Sequence, residues 1–191
     1  MRYFSHVSTA EWNLGNNEKR FELLLRAFAI DSTNISIIRQ LGEIYRDMGK
    51  WEEALKYWRK YFSIGRLYEF DWANLGYSYL KNGYKKEAED CFDKYMEYTE
   101  NYIKLYPKSL INNKLLANVS AMRGDKEKTF EYLNLYKQKP VLHSDILFNT
   151  DPWYDNISNE PDFQKIASEI KAKFQAEYER IKKWLEEQGM L

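Results

Sequence analysis

Few side chains in this chain of 191 residues can carry out nucleophilic or metal chemistry. Its one cysteine, Cys91, lies far in sequence from its two histidines, His6 and His143. A thiol becomes a useful nucleophile only beside a base or another activating group, so we expect Cys91 to be a packed core residue. The zinc-binding spacings Cys-x-x-Cys and His-Glu-x-x-His do not occur, and neither do glycine-rich phosphate-binding motifs.

Carboxylates could act together as an acid and a base if they converged on one point. The closest acidic pairs, such as Glu52-Glu53 and Glu186-Glu187, are adjacent in helical sequence. Adjacent residues on a helix point in different directions, so these pairs indicate solvated surface. The sequence therefore predicts no catalytic residue, no metal and no cofactor, and we expect that the chain is not an enzyme.

The amino-acid composition limits the kinds of partner that this chain can bind. Twenty-nine basic residues balance 29 acidic ones, so the chain has no net field to attract nucleic acid or an anionic membrane surface. The sequence has no apolar stretch long enough to span a bilayer. A single cysteine fits a reducing compartment. We expect a cytoplasmic protein that binds neither nucleic acid nor membrane.

Glycines mark an internal repeat. Gly15, Gly49 and Gly83 are spaced by 34 residues, and Gly124 follows after 41. Each lies between two apolar patterns with helical spacing. Repeats of this length cannot bury their own apolar face and must stack side by side. The extra residues before Gly124 are close to two helical turns, and they predict one long helix from about Lys85 to Leu105.

Other positions repeat in the same register. They are Leu41, Gly42, Tyr45, Ala54 and Trp58 in one unit, and Leu75, Gly76, Tyr79, Ala88 and Phe92 in the next. This pattern resembles the tetratricopeptide repeat (TPR). Small residues let antiparallel helices approach closely, so we expect Gly42 and Gly76 to face Ala54 and Ala88.

The resemblance implies an all-α fold, a right-handed superhelical array of antiparallel helix pairs with a long C-terminal capping helix. Residues 1–143 would form four TPR-like hairpins, at 1–34, 35–68, 69–109 and 110–143. Residues 144–191 would form an aromatic-rich loop and the capping helix. Apolar residues spaced by three and four predict that this helix runs from Pro161 to about Glu187.

Two further patterns have open interpretations. The late second-helix position holds Ala27 in the first unit and Tyr61, Tyr95 and Tyr136 afterwards. These tyrosines either wedge between units or present hydroxyls to a ligand. The run from Asp151 to Ile166 is similar to a segment that often follows TPR arrays in bacterial signalling proteins, and it also fits a tail that folds back on the last repeat.

The resemblance implies that the first helix of each unit lines a concave binding groove. Amides there can bind a peptide backbone and cations can bind carboxylates, although salt bridges within the array would use the same side chains. The candidate groove residues are Arg39, Glu43, Arg46, Asp47, Phe70, Asn74, Tyr77, Lys81, Lys114 and Asn118.

The leading functional hypothesis is a non-catalytic module that binds a protein or peptide segment in this groove. The alternative is the sensor or coupling region of a larger bacterial regulator whose DNA-binding or nucleotide-cyclase domain lies outside this chain. RNA recognition by a related helical repeat is a third hypothesis, which the neutral charge disfavours. The sequence leaves the partner's identity and the oligomeric state open.

Overall fold

The fold is known from a computed structural model, which describes residues 17–65, 68–138 and 152–191. The regular structure of these ranges is helical, without a strand. Two short 3-10 turns occur, at Glu69–Asp71 and Pro152–Tyr154. The described α-helices are α1 (Asn17–Ile30), α2 (Ile35–Asp47), α3 (Trp51–Ile64), α4 (Trp72–Lys81), α5 (Lys85–Leu105), α6 (Asn112–Met122), α7 (Lys126–Tyr136) and α8 (Pro161–Glu187).

The chain divides into two compact units, Met1–Tyr95 and Met96–Leu191. The predicted division into four hairpins and a tail stays a prediction. Two parts of it lie outside the described residues: the first helix of the unit 1–34, and the apolar loop residues Ile146, Leu147 and Phe148.

The recurring glycines end the first helix of each pair. Gly49, Gly83 and Gly124 have φ angles of 68°, 83° and 76°, in the left-handed region that glycine adopts without strain. After α2, the amide of Lys50 donates to the carbonyl of Tyr45 at 2.9 Å, which satisfies a carbonyl that the helix leaves unpaired. The repeat of glycine in the sequence is therefore a repeat of one helix-ending turn.

The two helical glycines make room for aromatic rings. A β-carbon added at Gly42 would lie 2.9 Å from the indole of Trp58, and one at Gly76 would lie 2.7 Å from the ring of Phe92. Both rings are completely buried. The absence of a side chain on α2 and α4 thus lets a ring from α3 or α5 lie directly against the helix backbone.

The prediction that Gly42 and Gly76 face Ala54 and Ala88 stays a prediction, while the atoms nearest to a β-carbon at these glycines belong to Trp58 at Gly42 and to Phe92 and Cys91 at Gly76. The aromatic residue one helical turn further along is long enough to reach the glycine and cover it. Both alanines are fully buried. Each helix pair therefore has a small residue on both of its helices, glycine on the first and alanine on the second.

The predicted long helices are confirmed. Helix α5 covers Lys85–Leu105 and α8 covers Pro161–Glu187. Cys91 of α5 is buried, and burial raises the pKa of its thiol to about 11. At neutral pH the thiol is therefore protonated, which agrees with the prediction of a packed core cysteine.

The described part of the tail packs within the second unit. The turn Pro152–Tyr154 contacts α6, and α8 contacts α7. Trp153, Tyr154 and Ile157 are buried. Lys137 pairs with Glu169 of α8 at 2.9 Å. An aromatic-rich segment that would be costly to leave in water is thus covered by the last helix pair.

Candidate functional site

A bidentate ion pair joins α2 to the turn before α4. Arg39 donates from Nε to Oδ2 of Asp71 at 2.8 Å and from Nη2 to Oδ1 at 2.9 Å. Asp71 has no solvent exposure. The third guanidinium nitrogen of Arg39, Nη1, lies 2.7 Å from Oε1 of Glu43, one helical turn along α2. The guanidinium therefore bridges two carboxylates, one of which is fully buried.

Neighbouring polar groups extend this pair along α2 and α4. Asn74 donates from Nδ2 to Oδ1 of Asp71 at 3.1 Å and accepts at Oδ1 from Nη1 of Arg46 at 2.5 Å. Arg46 also donates from Nη2 to Oδ1 of Asp47 at 2.7 Å. The groups of the two helices are thus joined by continuous hydrogen bonding.

Arg20 of α1 joins the same cluster. Its Nη2 lies 3.4 Å from Oε2 of Glu43, and its Nη1 lies 3.8 Å from Oδ2 of Asp47. The side chain is only 4% exposed, and burial lowers the pKa of its guanidinium although the two carboxylates raise it. We name this cluster the arginine network; its members are Arg20, Arg39, Glu43, Arg46, Asp47, Asp71 and Asn74.

The arginine network is electrically balanced, because three guanidinium groups face three carboxylates. Burial lowers the pKa of Arg39, but its hydrogen bonds to Asp71 and the charges of Glu43 and Asp71 outweigh that effect and raise the pKa above its ordinary value. Half of the candidate groove residues therefore bind one another. A ligand carboxylate would have to compete with these intramolecular partners.

Two aromatic rings cover one end of the network. Tyr68 and Phe70 stack with their centroids 5.6 Å apart and are 62% and 40% exposed. The guanidinium carbon of Arg39 lies 5.2 Å from the Phe70 centroid and 5.8 Å from that of Tyr68. We call Tyr68 and Phe70 the aromatic pair. Held against a cation that Asp71 fixes in place, it offers apolar surface to solvent.

Tyr77 and Lys81 lie together elsewhere on α4. Tyr77 is buried, with its ring edge-on to Trp51 at 5.6 Å. The ammonium of Lys81 lies 5.1 Å from the Tyr77 centroid and 5.4 Å from that of Trp51. Tyr77 is thus a packing residue, whereas the ammonium of Lys81 makes cation–π contacts with both rings.

The last two candidates belong to the second unit. Asn118 of α6 is only 9% exposed, and its Oδ1 accepts a hydrogen bond from the buried hydroxyl of Tyr154 at 2.6 Å. Lys114, one helical turn earlier, is partly buried. Asn118 thus helps to hold the tail in place.

The tyrosine row is a packing feature. Tyr61, Tyr95 and Tyr136 are all buried. The hydroxyl of Tyr61 accepts a hydrogen bond from the backbone amide of Tyr68 at 3.2 Å. Burial, reinforced by the charge of Asp71, raises the pKa of Tyr61 to about 12. Burial of all three disfavours hydroxyls that face a ligand, and the interpretation that these tyrosines wedge between units stays a prediction.

Alkaline pH is expected to weaken the fold through Tyr61. Below pH 10 the folded and unfolded chains both keep it protonated, so its contribution is complete. Between pH 10 and about 12 the unfolded chain ionises first, and the free energy of unfolding falls. Tyr61→Phe is expected to remove this part of the fall at high pH. At neutral pH it is expected to lower the free energy of unfolding by about 1 kcal/mol, because the amide of Tyr68 loses its hydrogen-bond acceptor.

Urea denaturation at neutral pH and just above pH 10 measures both effects. Tyr106→Phe is the matched control, since Tyr106 is 56% exposed. If Tyr61→Phe and wild type lose the same stability on raising the pH, Tyr61 does not carry this dependence.

Several residues of the site were missed in the sequence. Asp71 stands one repeat after Ile37, a position that is buried in α2, so an acidic residue there could have signalled an internal ion pair. Arg20 likewise stands one repeat before Ala54. A charged residue at a position that repeats as apolar or small is the signal in both cases. Tyr68 carries no such signal.

The described ranges contain neither a metal-binding cluster nor a membrane-spanning helix. Residues 17–65, 68–138 and 152–191 contain no cluster of three or more His, Cys, Asp or Glu side chains placed to hold a metal ion. Among the helices of the same ranges, none combines the length and apolar character needed to cross a bilayer.

Two segments of the chain match known repeat families, in agreement with the helix pairs of the structure. Residues 35–66 and 72–102 each match a family model described as a tetratricopeptide repeat. A search of the curated proteins found no match to this sequence.

Solved structures of low sequence identity align with this chain. A TPR protein from Parabacteroides merdae ATCC 43184 aligns with a TM-score of 0.51 and 18% identity, over 90% of this chain and 63% of that one. A variant of nearly identical TPR-like repeats from a putative kinesin light chain of Podosopora anserina aligns with a TM-score of 0.51 and 16% identity, over 94% and 96%. YrrB, a TPR protein with an unusual peptide-binding site, aligns at 0.46 and 14%, over 89% and 84%.

The predicted all-α, TPR-like fold with a long C-terminal helix is thus confirmed. Tetratricopeptide repeats indicate a protein-interaction module. Residues 35–66 and 72–102 are thus similar to tetratricopeptide repeats, and the fold of the chain is similar to that of solved tetratricopeptide repeat structures.

Proposed function

We propose that this chain is a non-catalytic, cytoplasmic protein-interaction module whose first unit binds an extended protein segment. The binding face comprises α2, the turn Glu69–Asp71 and α4. The observation that carries the proposal is the aromatic pair, Tyr68 and Phe70, which is exposed and stacked over Arg39. Rigid aromatic side chains provide contact area at low entropic cost, so they commonly dominate the affinity of interaction surfaces.

The arginine network supports the proposal by fixing the pair in place. Asp71 aligns Arg39, whose guanidinium underlies both rings. Because the network's charges cancel, the segment we expect is one that presents an apolar side chain to the rings. An acidic side chain of the same segment can approach Lys81. The remaining groove candidates of the first unit stabilise the binding face through their contacts inside the unit. They are Glu43, Arg46, Asp47, Asn74 and Tyr77.

Lys114 is proposed as a contact that the second unit makes to a bound segment, and Asn118, which accepts a hydrogen bond from Tyr154, as a residue that supports the same helix from within the unit. The similarity to bacterial signalling proteins that we infer for the tail from its sequence motivates a second proposal, that this chain is the coupling region of a larger regulator. The sequence of the complete gene product tests that second proposal. Continuation into a DNA-binding or nucleotide-cyclase domain supports it, and a product without such a domain contradicts it.

Selection of peptides from a phage-displayed library on the purified chain tests the binding face. We expect Phe70→Ala to weaken the selected peptides by about tenfold or more in Kd, measured by isothermal titration calorimetry, because it removes half of the exposed stack. Tyr84→Ala is the matched control, since Tyr84 is similarly exposed (45%) but lies in the turn before α5. Equal affinities for Phe70→Ala and wild type would contradict the proposed face.

A further inference from the structure

Helix α8 changes its surroundings half-way along its length. Phe163, Ile166 and Ile170 in its first half are buried within the second unit. In its second half, Tyr178, Ile181 and Trp184 are 51%, 45% and 53% exposed. The first half is therefore a capping element, whereas the second half extends an apolar surface into solvent.

The apolar residues of the second half form one stripe, in which Phe174 and Leu185 are partly buried. Phe174, Tyr178, Ile181 and Leu185 follow one another at intervals of four, three and four residues, which places them on one side of a helix. The rings of Phe174 and Tyr178 stack at 6.4 Å along that side, and Trp184 borders it. We name these five residues the α8 stripe. The stretch from Ile170 to Glu187 that carries it is about 27 Å long.

Charges at the two ends of this stretch are opposite. It begins with Lys171 and Lys173 and ends with Glu186 and Glu187, whose carboxylates lie 4.0 and 3.9 Å from the ammonium groups of Lys182 and Lys183 one helical turn earlier. A second copy of α8 running in the opposite direction would bring each basic end beside an acidic end. A parallel copy would bring like charges together. The charge pattern is therefore complementary to the helix itself in the antiparallel orientation.

We propose that the α8 stripe is a self-association surface, through which two copies of this chain pair their C-terminal helices antiparallel about a two-fold axis. The arrangement is isologous: Phe174 and Leu185 at opposite ends of the stripe approach each other across the axis, while Tyr178 and Ile181 meet near it. Exposed apolar area is removed from water on both copies, and neither copy leaves an unmatched charged end.

The size of the stripe sets the strength of the pairing. Tyr178 and Trp184, each half exposed, leave about 100 Å² apiece to be buried. The whole stripe remains below the roughly 800 Å² per partner of a stable complex. The dimer is therefore weak and concentration-dependent: a monomer in dilute solution, and a dimer as the concentration approaches the millimolar range.

Sedimentation velocity of the full chain over a concentration series tests the stripe. We expect Tyr178→Ser with Ile181→Ser to leave only monomer at the concentrations where wild type dimerises, because the Kd rises by more than about tenfold. Ala172→Ser with Ala176→Ser is the matched control, because both alanines are exposed on the other side of α8 and the changes also introduce serine. A chain that is monomeric at every concentration, or a dimer that both double variants leave unchanged, overturns the proposal.

A charge exchange tests the orientation. One variant carries Lys171→Glu and Lys173→Glu, and the other carries Glu186→Lys and Glu187→Lys. Each places like charges at both ends of its own antiparallel dimer and is expected to dimerise less than wild type. Mixing the two variants restores opposite charges at both ends, so the mixture is expected to recover dimer.

Far-UV circular dichroism checks that both charge variants keep their helices, which matters because Lys173 also donates to the backbone oxygen of Lys137. Increased salt is expected to reduce the difference between the variants and wild type, since these charges are exposed. A mixture that dimerises no better than its separate components overturns the antiparallel arrangement.

Discussion

Trp58→Ala is expected to cost about 4 kcal/mol of unfolding free energy, because a large ring is removed from a fully packed site. Trp58 has no solvent exposure, lies directly against the backbone of Gly42 and meets Tyr61 edge-on at 5.6 Å. Glycine cannot fill the space that the indole leaves. Within the described part of the chain the indole N–H has no acceptor, so the loss comes from packing and not from a hydrogen bond.

Urea denaturation followed by far-UV circular dichroism measures this loss. Trp184→Ala serves as the control, because Trp184 is 53% exposed and is expected to leave the stability of the dilute monomer almost unchanged. Trp58→Phe is expected to lose clearly less than Trp58→Ala, since Phe92 occupies the equivalent place beside Gly76. If Trp58→Ala and Trp184→Ala were equally stable, the proposed packing of the aromatic ring on glycine would be refuted.

Asp71→Asn is expected to cost about 3 kcal/mol, because it removes the charge that compensates the guanidinium of Arg39 in a buried setting. Asparagine has the same shape and can still accept a hydrogen bond from Asn74. The loss therefore reports on the ion pair itself. Glu43 remains beside Arg39, which keeps the effect below that of an entirely isolated charge.

A double-mutant cycle separates the pair from its surroundings. Arg39→Met alone leaves the fully buried carboxylate of Asp71 without its main partner, so it is also expected to be strongly destabilising. The double variant removes both charges and is expected to lose less than the sum of the single variants. Arg180→Met, which breaks the exposed pair with Glu177, is the control and is expected to have little effect. Strict additivity of the two single losses would contradict the coupling.

The repeat made most of the helices predictable. Glycine at a fixed interval marks a left-handed turn after a helix, and such a turn depends only on local backbone conformation. The bounds of α5 and α8 follow from the spacing of apolar residues and from the stops beside them. These features are encoded within a few residues, so they can be identified without knowing which helices later meet.

Contacts between helices were less predictable. The sequence indicated that Gly42 is small in order to admit a neighbour, but it did not show that Trp58 reaches further than Ala54. Both lie on the same helix, and only the distance between α2 and α3 decides which of them touches the glycine. Such a distance results from packing the whole unit.

The candidate site shows the same division. Arg39, Glu43 and Arg46 could be placed on the first helix of one unit through the resemblance to the repeat family, but their partners Asp71 and Arg20 come from other elements. An ion pair between residues distant along the chain depends on the register between helices, which spacing along one helix does not specify. The exposure of Tyr68 and Phe70 is likewise a property of the assembled face.

The sequence by itself therefore determined the helical repeat, the glycine turns within it and the bounds of α5 and α8, because local backbone preferences and the helical period encode them. The tertiary structure alone decided which polar groups neutralise one another in the arginine network and which apolar surfaces, the aromatic pair and the α8 stripe, stay in contact with water. Pairing and burial arise between segments distant in sequence. Their energies depend on distances that only the packed chain defines.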